Sequence, residues 1–134
     1  MEDLEVILKS FDQPDEITNF AKGKFEKITI NNMVLGRATY QPGWKWSEDV
    51  GPVIGKPFCD VEHVGMVVSG SATASFPDGE TTVMKAGDIF YVPSRPHDSW
   101  VIGDEPYVSI HFLGANSYAT VSYTHLTLPT KRIV

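Results

Sequence analysis

Cys59, His63 and His97 are the residues of this chain whose types and spacing can do metal chemistry. In an extended strand, residues two apart share a face, so positions 59, 61, 63, 65 and 67 point one way and 60, 62, 64 and 66 the other. The second set holds both acids, Asp60 and Glu62, which turns the first set inward. A thiol and an imidazole would then border one interior, and both are good ligands for Zn, Fe, Mn, Ni or Cu. His97 closes the run Val-Pro-Ser-Arg-Pro-His, in which Pro93 and Pro96 stiffen the approach and fix where the ring points. Cys59 is the only cysteine and so has no internal disulfide partner. It remains a buried hydrophobe, a reactive thiol or a ligand. For the two histidines the readings are metal coordination and, as the plain alternative, a hydrogen-bonded pair in a polar pocket.

Glu48 is a fourth ligand or a general base at the mouth of such a pocket, or else an ordinary solvated loop acid. Trp44, Trp46, Phe58, Tyr91 and Trp100 supply more aromatic surface than a minimal core requires. They are expected to line the pocket as a wall for a planar or apolar ligand, although core and dimer packing would account for them as well. His111 lies in the last strand-like run, and the sequence pattern does not settle which way it faces.

The elements that must position these groups are almost all strands. Residues 14–21 read as a short helix, with Asp12 able to cap it, Pro14 in the first turn and Ile17 and Phe20 on one face. After Gly23 the pattern changes to period two in 27–31 and 34–41, and it stays strand-like through 61–69, 71–76, 81–84, 89–92, 99–102 and 107–113. Turn signals separate these runs: Pro-Gly at 42, Pro-Asp-Gly-Glu at 77, Lys-Ala-Gly-Asp at 85 and Gly-Asp-Glu-Pro at 103. Short strands at this spacing predict a sandwich or barrel. The strands from 61 to 84 read as a meander in which consecutive strands pair.

Two segments carry a resemblance to a known family. Gly87, five residues, Pro93 and a turn to His97 resemble the second cupin motif, and His63 followed by six residues and Gly70 resembles the end of the first. The resemblance implies an all-β cupin barrel, a double-stranded β-helix or jelly roll, which typically binds a divalent metal through two His and a Glu from motif one and a His from motif two. Aligned on Gly70, His63 falls where the family usually has Glu, Cys59 on the second His and Pro57 on the first, so the implied ligand set is altered. The chain also resembles a group of small bacterial single-domain cupins that carry Pro-Gly-Trp-x-Trp-Ser-Glu (42–48), Cys-x-x-x-His-x-Gly (59–65) and His-Asp-x-Trp-Val-x-Gly-Asp-Glu-Pro (97–106). That group usually has Pro-Gly before the motif-two His, where this chain has Arg95-Pro96. Small cupins commonly pair, which implies a homodimer.

Composition bounds the rest. A chain of 134 residues, 42% hydrophobic and 21% charged, has room for one domain with a real core. A net charge of −6 without a Lys/Arg cluster argues against nucleic acid. The apolar runs are strand-sized and the start is acidic, which argues against a membrane span or secretion signal and for the cytoplasm. Residues 121–134 contain Lys131 and Arg132 and no acid, so the remainder carries −6 − 2 = −8. This tail reads as non-native or disordered sequence appended to a barrel over 1–120. The expected function is a pocket that binds a divalent metal and a small organic molecule, either a metal-dependent enzyme or a non-catalytic binding or sensing module.

Overall fold

The computed structural model describes residues 4–118. The tail over 121–134, with His125, lies outside the described residues. Nine strands and two one-turn helices follow in order: β1 (Glu16–Phe20), β2 (Gly23–Ile30), β3 (Met33–Tyr40), α1 (Trp46–Asp49), α2 (Gly51–Ile54), β4 (His63–Ser69), β5 (Ser71–Ser75), β6 (Thr81–Lys85), β7 (Ile89–Val92), β8 (Val101–Ile102) and β9 (Tyr107–Leu113). They form a six-stranded sheet, β1-β2-β3-β9-β4-β7, and a three-stranded sheet, β6-β5-β8. The two enclose a core in which Phe25, Trp44, Val50 and Val67 are almost wholly buried.

The helix expected over 14–21 is absent, and β1 takes its place. Glu16 through Phe20 pair antiparallel with Lys27 through Gly23, and Asp15 N–H donates to the Lys27 carbonyl at 2.9 Å. A helix of about two turns is too short to hold itself in water, whereas Ile17 and Thr18 suit a strand with a ready partner. Lys22, at φ 65°, lets a two-residue turn return the chain. Asn31 and Asn32, at φ 48° and 71°, do the same between β2 and β3, the mirror-image hairpin turn that asparagine accepts.

The expected meander is also corrected. β5 pairs with β6, but β4 pairs with β7 and β9, so β4 and β5 belong to different sheets. Gly70, at φ 75°, makes the step between them, and a side chain there would collide with the Pro106 backbone. The β4–β9 register slips between Val64 and Gly65, whose partners are Leu113 and His111. Phe112 is therefore an extra residue on β9, a bulge that sits beside His111.

Candidate metal centre

The segment leading into β8 runs between two neighbours, and this places the centre. His97 and Cys59 exchange both backbone hydrogen bonds at 2.9 Å. Asp98 does the same with Ser75 on the other side, at 2.8 and 2.9 Å. Residues directly opposite in an antiparallel pair project to the same face, so Cys59 and His97 share one face and Asp98 takes the other. His63 opens β4 opposite Val92. One ligand atom from each of Cys59, His63 and His97 falls within 4.8 Å of the others, and all three residues are buried.

Hydrogen bonds sort the ring nitrogens. His97 Nδ1 lies 2.7 Å from the Arg95 carbonyl oxygen, which makes Nδ1–H the donor and leaves the Nε2 lone pair free. Arg95 is itself held, with its guanidinium 3.8 Å from the Phe76 ring centroid and paired with Asp78. Neither Arg95 nor Pro96 takes a positive φ, so the turn before His97 forms without a glycine. His63 Nε2 lies 3.4 Å from Cys59 Sγ, while its buried Nδ1 has no partner among the described residues.

Charge is kept low. Burial, and then His111 and His97 nearby, hold His63 well below the usual histidine range. Burial lowers His97 too, opposed in part by its bond to the Arg95 carbonyl. Burial takes His111 down to about 4 and pushes the Cys59 thiol up to about 12. At neutral pH the imidazoles are uncharged with lone pairs available. The thiol keeps its proton, so binding an ion there releases it. One sulfur and two imidazole nitrogens are a donor set for a soft or borderline transition metal, and they leave a coordination position to fill.

Cys59, His63 and His97 border a cavity of about 50 Å³, also lined by Tyr40, Trp44, Trp46, Met84, Tyr107, Ser109, His111 and Tyr118. One water needs about 10–15 Å³, so the space beside these residues has room for several water-sized groups. Among the described residues, no Asp, Glu, Lys or Arg lines it. Trp44 stacks on Tyr40 with centroids 3.7 Å apart, and Tyr40 and Tyr118 share a buried hydrogen bond of 2.6 Å between their hydroxyls. Asp98, on the far side of its strand, accepts from Ser47 N–H at 3.0 Å, Ser47 Oγ at 2.7 Å and Ser99 N–H at 2.9 Å. This clamp ties the His97 segment to α1, the helix that carries Trp46.

Several expected site residues stand elsewhere. Glu48 is exposed on α1 and does not border the cavity, because its neighbours Trp46 and Asp49 take the buried positions of that single turn. Tyr91 is 60% exposed and points out of the wall, where its hydroxyl donates to Glu62; alternation along β7 turns Phe90 and Val92 inward instead. Phe58 and Trp100 are half-buried outside the cavity, Trp100 packing under the Lys45 ammonium. His111, whose facing the sequence left open, turns toward the cavity, with Nε2 3.0 Å from Ser109 Oγ and its ring centroid 5.4 Å from that of His63. Tyr118 was not singled out from the sequence, and it lines the cavity beside Tyr40. The available signal was the alternation Tyr107, Ser109, His111 along β9.

Residues 58–112 match the family model of the cupin domain. No curated protein matches the sequence. Among solved structures, a conserved protein with a double-stranded beta-helix domain from Klebsiella pneumoniae is similar at 21% identity and TM-score 0.55, over 87% of this chain and 91% of that one. A protein of unknown function from Rhizobium leguminosarum is similar at 17% identity and TM-score 0.53, over 81% and 95%. A Lactobacillus farciminis oxalate decarboxylase, solved as a formate complex, is similar at 19% identity and TM-score 0.52, over 85% of this chain but 39% of that one. Likenesses at these identities show a shared barrel.

Proposed function

We propose that this chain, in which residues 58–112 match the cupin domain, binds a divalent transition metal through Cys59, His63 and His97 and a small organic molecule in the adjoining cavity. The observation that carries the proposal is the convergence of three buried ligand atoms within 4.8 Å. Two neutral imidazoles and a thiol fit Zn or Cu best, with Fe, Mn and Ni as further candidates. When bound, such an ion supplies Lewis acidity at its open position. The protein's part is to fix the His97 tautomer through Arg95 and to surround the ion with the aromatic wall of Trp44, Trp46 and Tyr118.

A non-catalytic binding or sensing module is the form of this proposal that the site favours. Glu48 lies outside the cavity, and among the described residues the titratable groups lining it, beyond Cys59, His63 and His97, are His111, Tyr40, Tyr107 and Tyr118. Burial leaves His111 a weak base and holds the three tyrosines protonated. A homodimer belongs to the same proposal. The register sets Met66 beside Ile89 and Ile110, and Val64 beside Tyr91 and Leu113, on the outer face of the larger sheet. That apolar patch would be covered by a second copy, and sedimentation velocity tests it. No helix among the described residues is long and apolar enough to cross a membrane, and a cytoplasmic location is proposed with the rest.

Elemental analysis of the purified protein tests the metal directly. Near-stoichiometric transition metal is expected in the parent, with loss in His63→Ala and His97→Ala. Equal metal content in all three proteins overturns the proposal.

A further inference from the structure

Before β1 the chain carries a strand-forming segment with nothing to pair with. Residues 4–8 read Leu-Glu-Val-Ile-Leu and belong to no strand or helix. None of them makes a backbone hydrogen bond among the described residues. Leu4, Val6 and Leu8 are 91%, 86% and 88% exposed. Residues two apart share a face of an extended chain, so these three form one apolar stripe when the segment is drawn out as a strand. A run of this kind suits a strand buried on one face, and left in water it marks a contact surface.

A receptor of matching shape lies at the far edge of the fold. β7 ends the larger sheet and β6 ends the smaller one, and each is paired on one side only, with β4 and β5 respectively. Between these two open edges lies a groove of about 340 Å³, lined by Phe76, Met84, Phe90, Val92 and Pro93 among others. Asp88, which also borders it, already accepts from Lys85 N–H at 2.8 Å. An open strand edge beside apolar pockets is the arrangement that takes up an added strand. The groove is continuous with the apolar patch of the larger sheet, since Ile89 and Tyr91 belong to both.

The arm does not reach the groove of its own chain. Lys9 Nζ donates to Asp15 at 2.7 Å and to the Thr29 carbonyl at 2.8 Å, which ties the base of the arm to β2. From β2 the sheet runs through β3, β9 and β4 to β7, four spacings of about 4.8 Å each, or about 19 Å. Five extended residues span about 17 Å, so the apolar run would be used up in the crossing. A second copy has no such limit, and a two-fold pair seats both arms in both grooves as a closed contact.

Resting on the homodimer reading above, we propose that residues 4–8 of each copy add a strand to the β7 edge of the other and bury Leu4, Val6 and Leu8 in the groove between β6 and β7.

Sedimentation velocity of the full chain over a range of concentrations tests this with two charge variants, Val6→Asp on the arm and Val83→Asp on the β6 side of the groove. Both residues are exposed in the single copy, so a charge there leaves the fold intact, and Val83 belongs to the smaller sheet, apart from the outer face of the larger one. Each variant is expected to raise the dimer dissociation constant by about a hundredfold, the scale for burying an unpaired charge at two equivalent contacts. A second measurement mixes a Leu8→Cys copy with a Val83→Cys copy and a short bismaleimide. A covalent pair joining the two different copies is expected, and none when the parent replaces the Val83→Cys copy. A dimer left at full strength by either charge variant, or lacking the cross-link, overturns this inference and leaves the homodimer reading standing. A parent that sediments as a monomer at every concentration overturns both and gives the groove to another occupant.

Discussion

His111 should make the metal-free protein acid-sensitive by an amount the structure allows to be worked out. The ring is buried between Phe25, Phe90 and His63, and burial lowers its pKa from 6.5 to about 4. The unfolded chain therefore takes up the proton first. The stability this group contributes is complete above pH 6.5 and is lost as pH falls toward 4. At about 1.4 kcal/mol per tenfold change in proton affinity, the full loss is about 3 kcal/mol, of which about 2 kcal/mol is gone at pH 5. The assay is urea unfolding at pH 7 and pH 5 with chelator present, for the parent and for His111→Phe, which replaces one flat ring by another. His63 and His97 are also held low by burial in both proteins, and His111 adds to the lowering of His63, so the difference between the two pH losses reports His111 together with its effect on His63. The parent should lose about 2 kcal/mol more than the variant. Equal losses would refute the burial argument for this ring.

Other expectations follow from single contacts. Tyr40→Phe should cost about 1–3 kcal/mol in urea unfolding by leaving the Tyr118 hydroxyl without its partner, and adding Tyr118→Phe should recover much of that loss; a double variant as weak as the sum of the singles contradicts the pairing. Gly65→Ala would drive a methyl into the Ile110 carbonyl and the Phe90 ring and should lower stability by about 1–3 kcal/mol, seen as a fall in melting temperature. Asp98→Ala breaks the clamp to Ser47 and should weaken zinc binding about tenfold by loosening the segment that holds His97, as measured by competition with a chromogenic chelator.

The sequence made the barrel legible because its strands are short and its turns are marked by Gly, Pro and Asn. Cys59 and His63 could be put on one face because the acids Asp60 and Glu62 identify the other. On β9 the same logic fails. The apolar set Val108, Ile110 and Phe112 lies on the outer side, while Tyr107, Ser109 and His111 face the cavity, so hydrophobic alternation points the wrong way when the interior is a polar-lined pocket. Tyr91 was misplaced for a related reason, since an aromatic beside a predicted site reads as wall although β7 turns it out to Glu62. The residues 14–21 carry a helix-like spacing that only the long-range pairing of β1 with β2 overrides. Likewise, no local pattern shows that β4 and β5, one residue apart in the chain, part into different sheets.

Titration of the metal-free protein with cobalt(II), followed by absorption spectroscopy, tests the central claim most directly. A thiolate-to-cobalt charge-transfer band should grow to saturation at one equivalent, with release of one proton from Cys59, and should be missing in Cys59→Ser. Loss of the visible tetrahedral bands in His63→Ala and His97→Ala should accompany it. A parent protein whose spectrum stays that of cobalt in water would contradict the claim that these three side chains form one metal centre.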